Sequence, residues 1–259
     1  MKNKIFKFAV SLLIMVLAGM FALRAEAALD WWKFLDLCKT GTAQEVEVAI
    51  KEGSDPNTED VGGQGTALMY AAANNNNPDV ITTLVKNGAD VNTNAKNSKG
   101  YTALVYAVEY NKNPDVITAL IEAGADVNAK TKDSDGKTIL TIAAQRENLD
   151  VISELIRAGA EPDVKDLRRG QTALMYAVRY YYNNPDAVIA LIEASVDINA
   201  QNVEGKTALM YAVDYNFEPD LITALIEAGA DANIKTNGMT ALDILKGTSK
   251  KTKEARIIF

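Results

Sequence analysis

Hydrophobic positions along this chain come in short bursts at helical spacing, and the bursts themselves recur. Between Gly100 and Asn128, Leu104, Ala107 and Val108 make one brief apolar face, and Val116, Ile117, Leu120 and Ile121 make a longer one. Both follow the spacing of a half-buried helix. Polar residues punctuate them. Thr102 stands where a helix N-cap belongs, with a hydroxyl able to accept a backbone N–H of the first turn. Asn111–Asn113 breaks that helix. Asn113 is placed as a second N-cap, Pro114 fits the first helical position, and Asp115 suits the positive helix end. Gly124 supplies the left-handed residue that ends the second helix, and "ADVNAK" (Ala125–Lys130) leads out as an extended strand and turn. The predicted unit is helix, turn, helix, extended finger.

The unit repeats. "TALMYA" stands at Thr66–Ala71, Thr172–Ala177 and Thr207–Ala212, with "TALVYA" at Thr102–Ala107, "TILTIA" at Thr138–Ala143 and "TALDIL" at Thr240–Leu245. The threonines are spaced 36, 36, 34, 35 and 33 residues apart, a period that signals a solenoid of stacked supersecondary units. The second-helix start recurs at Asn77-Pro78-Asp79, Asn184-Pro185-Asp186 and Glu218-Pro219-Asp220, and its ending at Gly88-Ala89-Asp90, Gly159-Ala160-Glu161 and Gly229-Ala230-Asp231. Each helix is too short to stand alone, so stability must come from stacking on neighbours. The first unit, Phe34–Asn57, is degenerate but keeps Thr42 and Glu45 at capping-box spacing. The last, from Gly238, keeps a first helix and then a basic segment.

This unit resembles the ankyrin repeat, whose pattern is Gly-x-Thr-Pro-Leu-His-x-Ala followed by a helix ending in Gly-Ala-Asp-x-Asn. The resemblance runs from about Trp32 to the C-terminus. It implies an all-α ankyrin solenoid of six to seven repeats including caps, with β-hairpin-like fingers and a concave face that binds protein. The domain plan is then 1–27 signal peptide, 28–63 N-terminal capping repeat, 64–237 five repeats, and 238–259 C-terminal capping repeat with a basic tail. The chain departs from the family pattern in two ways. Alanine replaces the proline after the threonine in most copies, and the histidine position holds Met69, Val105, Thr141, Met175, Met210 and Asp243. A polar link between repeats is therefore expected to give way to apolar packing.

Residues 1–27 read as a cleaved export signal: Lys2, Lys4 and Lys7, the apolar run Phe8–Leu23, then Ala25-Glu26-Ala27. The run has 16 residues, short of the roughly 20 that span a bilayer, so no stable membrane insertion is expected after cleavage. "LAGM" (Leu17–Met20) lacks the cysteine of a lipoprotein signal. The expectation is an exported, bacterial, periplasmic or secreted monomer. Removing this segment takes away four basic residues and one acidic one, leaving 23 Lys+Arg against 33 Asp+Glu. That balance is wrong for nucleic acid. The exception is the tail Lys246–Phe259, with five basic residues and one acidic.

Candidate chemistry is thin. The chain has no histidine, the commonest general base, and one cysteine, Cys38, which allows neither an internal disulfide nor a cysteine-based zinc site. Cys38 falls where other copies have a packed alanine, so an inert thiol is expected. Gly62–Gly65 ("GGQG") has no lysine at the offset a phosphate loop needs, and Asp133–Gly136 ("DSDG") has Ile142 where a calcium loop needs glutamate. Asn74–Asn77 reads as an inter-helix turn ending in a cap. No cofactor or metal is expected, and an enzyme is the least favoured class. The tyrosines carry the functional expectation. Tyr70, Tyr106, Tyr176 and Tyr211 share one repeat phase and are expected to form a stacked, mainly structural ladder. Tyr101, Tyr110, Tyr180, Tyr181, Tyr182, Tyr215 and Phe217 are not needed by the repeat and are the candidate contacts for a protein partner. The fifth unit counts 13 residues from threonine to proline against 12 in units two, three and six, and has Ser195 where its siblings have glycine. A glycan or small-ligand binder of the cell envelope, stacking tyrosine on sugar, is the alternative reading.

Overall fold

A computed structural model describes residues 29–247 apart from 112, 147, 181–184, 195 and 216–218. The export-like segment, the basic tail beyond Gly247, Ser195, and the candidate contacts Tyr181, Tyr182 and Phe217 lie outside the described residues.

Among the described residues thirteen helices follow one another: α1 (Trp31–Thr40), α2 (Ala43–Lys51), α3 (Ala67–Asn74), α4 (Pro78–Lys86), α5 (Ala103–Tyr110), α6 (Pro114–Glu122), α7 (Ile139–Gln145), α8 (Leu149–Arg157), α9 (Ala173–Tyr180), α10 (Asp186–Glu193), α11 (Ala208–Asp214), α12 (Pro219–Glu227) and α13 (Ala241–Gly247). Odd numbers are first helices and even numbers second helices. They begin where the caps predict. The hydroxyls of Thr66, Thr102, Thr138, Thr172 and Thr207 each accept the N–H three residues on, at 3.1 to 3.4 Å. Asn77 and Asn113 accept from Asp79 and Asp115 at 3.0 Å, and Thr42 and Glu45 form the expected capping box. Gly124 is left-handed at φ 88°.

First helices stack on first helices and second on second, in chain order. Ala71, Ala72, Ala107, Ala143, Ala177 and Ala212 are fully buried, so neighbouring backbones approach closely. Cys38 is fully buried too, and desolvation pushes its thiol up to about 12, which leaves it unreactive.

The histidine-equivalent positions do turn apolar or inward: Met69, Val105, Thr141, Met175 and Met210 are all 2% exposed or less. The expectation that polar linkage between repeats is lost is nevertheless corrected, because three other ladders carry it. The first lies after the first helix. Asn75 donates its amide to the carbonyls of Cys38 and Gly41 in the preceding unit, and Asn111 donates to those of Ala72 and Asn75. The second lies at the base of the fingers. Asn57, Asn92, Asn128 and Asn199 each donate to a glycine carbonyl of the next unit, Gly88, Gly124, Gly159 and Gly229. Each also accepts the N–H of the residue two further on, Asp90, Asp126, Glu161 and Asp231. In the fourth unit Asp163 takes this place. It accepts from the Asp197 N–H at 2.8 Å but, as a carboxylate, has no proton to donate.

The third ladder joins finger tips. Backbone N–H groups of Lys96, Lys132, Leu167 and Val203 donate to the carbonyls of Gly63, Lys99, Asp135 and Arg169. The tips can approach because each lies on a glycine. A Cβ on Gly100 would sit 2.8 Å from the Lys132 side chain, and one on Gly136 would sit 2.3 Å from that of Leu167; both glycines have φ near 55°. Within the fingers the extended pairing reduces to single β-bridges, Glu59 with Thr66, Lys130 with Thr138 and Thr236 with Met239, among the described residues.

The ladder tyrosines brace these fingers through their hydroxyls. Tyr70 donates to Asp60 at 2.6 Å, Tyr106 accepts from Asn97 at 3.1 Å, and Tyr211 accepts from Asn202 at 2.9 Å. Tyr106 also donates to the Gln64 carbonyl of the preceding finger. The structural role expected for this set holds, but by hydroxyl bracing rather than by rings stacked from repeat to repeat among the described residues.

Two outcomes follow. Asn111→Ala leaves two buried carbonyls unpaired and should cost about 2 kcal/mol, whereas Asn87→Ala, which loses an exposed bond within its own helix, should cost less than about 0.5 kcal/mol. Equal shifts in the urea midpoint would contradict the ladder. The second concerns alkali. Burial first, and Asp60 second, push Tyr70 up to about 12; burial likewise pushes Tyr101 up to about 12 and raises Tyr176 and Tyr211. A folded-state value above the unfolded one gives stability that is present below pH 10 and is lost as pH climbs towards 12. The urea midpoint should fall across that window, less steeply in Tyr70→Phe.

Candidate functional site

First helices bury almost all of their surface. The side they turn towards solvent follows from helix geometry: relative to the capping threonine, the positions four, seven and eight residues on share one face, with seven and eight open and four half-buried or buried beneath them. Unit by unit these are Tyr70, Ala73 and Asn74; Tyr106, Glu109 and Tyr110; Ile142, Gln145 and Arg146; Tyr176, Arg179 and Tyr180; Tyr211, Asp214 and Tyr215. Together with the fingers they form one continuous surface.

Aromatic rings pair along each helix on this surface. Tyr106 and Tyr110 lie 6.0 Å apart between centroids, Tyr176 and Tyr180 6.0 Å, and Tyr211 and Tyr215 6.2 Å. Cations sit over them. The Lys39 ammonium is 4.8 Å from the Tyr70 ring, and the Arg179 guanidinium lies 5.5 Å from Tyr180 and 5.8 Å from Tyr215, bridging the fifth and sixth units. The fourth unit breaks the tyrosine column. There Ile142 is buried and Arg146 turns back to pair with Glu109 of the third unit, with Arg146 Nε 3.1 Å from Glu109 Oε2. The column is thus split in two. The N-terminal half holds a cleft of about 500 Å³ whose walls include Gln64, Met69, Tyr70, Asn74, Tyr106 and Tyr110. Beside it a shallower hollow is lined by Trp31, Trp32, Val61 and Tyr70. The C-terminal half holds a smaller, strongly basic pocket around Tyr176 and Tyr180.

The sequence-predicted contacts distribute unevenly. Tyr110 is 51% exposed and Tyr215 37%, and Tyr180 is half-buried; Tyr110 and Tyr180 end the first helices of the third and fifth units, and Tyr215 follows that of the sixth. Tyr101 requires correction. It is 7% exposed, its ring meets Tyr106 edge-on at 5.5 Å, and it fills the angle between finger and helix instead of offering itself to a partner.

Other residues on this surface escaped the repeat-based reading. Trp31 and Trp32 are 45% and 53% exposed. Adjacent residues on a helix point about 100° apart, so two neighbouring tryptophans at a helix start cannot both face the core, which is a signal available in the sequence. Val61, Leu167 and Val203, exposed at the finger tips, have no such signal. Glu109, Arg146 and Arg179 become site residues only when the seventh and eighth positions of successive units are set side by side. In the loops singled out for phosphate and calcium, carboxylates serve the turn itself. Asp60 accepts from the N–H groups of Gln64 and Gly65, and Asp133 from those of Asp135 and Gly136 and from the Thr131 hydroxyl. Among the described residues no three His, Cys, Asp or Glu side chains gather as a metal site, and no helix is long and apolar enough to cross a membrane.

Comparison with known proteins agrees with this architecture. A family model described as ankyrin repeats (3 copies) matches residues 35–131, 128–202 and 181–245. The chain is 30% identical over 111 residues to the E3 ubiquitin-protein ligase KEG of Arabidopsis thaliana, covering 42% of this chain and 7% of that protein. It is 36% identical over 104 residues to the B-cell lymphoma 3 protein homolog of Mus musculus, covering 39% of this chain and 21% of that one. The match therefore spans less than a quarter of either relative. Among solved structures, the ankyrin repeat domain of Bcl-3 superposes with a TM-score of 0.73 at 24% identity, over 87% of this chain and 96% of that one, a likeness of fold. Capped helix pairs, finger ladders and a family match reaching from residue 35 to residue 245 lead to one conclusion: the chain belongs to the ankyrin-repeat family.

Proposed function

We propose that this chain is a non-catalytic scaffold or inhibitor that holds a protein partner against the face formed by its fingers and first helices. Ankyrin repeats mediate protein–protein interaction and are typically non-catalytic. The observation that carries the choice of face is the pairing of tyrosines at one register, exposed Tyr110 and Tyr215 and half-buried Tyr180, each seated on a buried or half-buried partner ring. Such rings are held in place before binding, so they bury large area at little entropic cost. The opposite side of the solenoid, built by second helices, has no comparable aromatic column among the described residues. The basic start, apolar run and Ala-Glu-Ala of residues 1–27 support export, which would place the partner in the periplasm or outside the cell.

The test compares the full chain with Tyr110→Ala/Tyr215→Ala, checked as folded by circular dichroism, in capture from a cell-envelope extract followed by titration of the captured protein. Loss of at least tenfold in affinity is expected, about 1.4 kcal/mol or more. A partner bound equally by both proteins would move the site elsewhere.

A further inference from the structure

The basic pocket of the C-terminal half stands out against a chain whose net charge is −7. It opens between the fingers of the third and fourth units and α9, with a volume of about 110 Å³, roughly the share of four water molecules. Lys137, Arg168, Arg169 and Arg179 line it against one carboxylate, Asp135. Asp135 is 3.7 Å from the Lys137 ammonium and 3.3 Å from Arg168 Nη1. Arg169 and Arg179 pair with no carboxylate among the described residues. A second acid nearby, Asp166, is 4% exposed and already occupied: its oxygens accept the N–H groups of Arg169 and Gln171.

Gln171 supplies an independent sign. Its side chain is fully buried in the pocket wall, and its Oε1 has no hydrogen-bond partner among the described residues. Its Nε2 lies 2.6 Å from the Tyr211 hydroxyl, which also receives the Asn202 amide at 2.9 Å. Two N–H donors on one hydroxyl leave the hydroxyl proton without an acceptor. Turning the Gln171 amide over settles the hydroxyl alone: Oε1 accepts the Tyr211 proton, and the NH₂ group becomes a buried donor without an acceptor among the described residues. That donor stands buried in the wall of a pocket lined by guanidinium groups, which suit an oxyanion.

We infer that this pocket seats a carboxylate of an acidic segment on the protein partner, with Tyr180 and Tyr215 covering the residues beside it. The inference rests on the protein-binding reading. The chain's own negative charge repels an extended polyanion beyond the pocket, whereas one or two carboxylates meet only the local cations.

Fluorescence polarisation with labelled hexaglutamate, and labelled hexaglutamine as its uncharged match, tests this on the full chain. Hexaglutamate should bind at least tenfold tighter than hexaglutamine at 20 mM salt, with the preference shrinking at 200 mM. Arg169→Gln/Arg179→Gln should lose at least fivefold, and Lys51→Gln/Lys86→Gln, an equal charge change on second helices, should stay within twofold. If the first variant does not fold, Arg168→Gln/Arg179→Gln takes its place. Equal losses in the two variants, no preference for glutamate, or full displacement by millimolar inorganic phosphate would each overturn the inference. If hexaglutamate fails while the tyrosine variant still sheds its captured partner, the carboxylate pocket falls and the interaction reading stands.

Discussion

Everything in this molecule depends on one constraint: a unit of two helices of seven to ten residues cannot bury its own apolar stripe. Each unit must lie on the next, and hydrophobic contact alone does not fix the angle or register at which it lies. Directional bonds do. Asn75 and Asn111 clamp the ends of neighbouring first helices, Asn57, Asn92, Asn128 and Asn199 clamp the starts of neighbouring fingers, and backbone bonds clamp the tips. With three such rows in parallel, an apolar residue at the family's histidine position does no harm to the stack.

The face proposed to bind a partner is a by-product of that stacking. A first helix wedged between two others and a second helix keeps open the positions seven and eight residues past its cap, with position four beneath them half-buried in the second and third units and buried in the fourth to sixth. Repetition lines those positions up, and substitution at them alters the surface without disturbing the core. The fourth unit uses this freedom to replace tyrosine pairs with the Arg146–Glu109 bridge, and the fifth uses it to insert Arg179 between two aromatic pairs. An aromatic cleft and a basic pocket result, on one surface but with different chemistry.

Much of the architecture was legible because its signals are local. Thr102, Asn113, Pro114 and Gly124 act on backbone within three residues of themselves, so each can be read in isolation. Cys38 was legible by alignment with buried alanines. What was not legible acts across a full repeat. Asn111 reads as a plain turn residue, and only folding brings it to carbonyls 36 and 39 residues away. Tyr101 looks like a spare finger aromatic until Tyr106 and the finger close over it. The site suffered most from this. Tyr110, Tyr180 and Tyr215 could be identified as surplus to the repeat, but the cations beside them, supplied by other units, could not.

The central claim is that binding happens on the finger and first-helix face. Hydrogen exchange of the chain, alone and bound to its captured partner, tests it most directly. The account predicts added protection in the fingers and at the C-terminal ends of α3, α5, α9 and α11, with α4, α6, α8 and α12 unchanged. Protection concentrated on those second helices, with the fingers untouched, would contradict it.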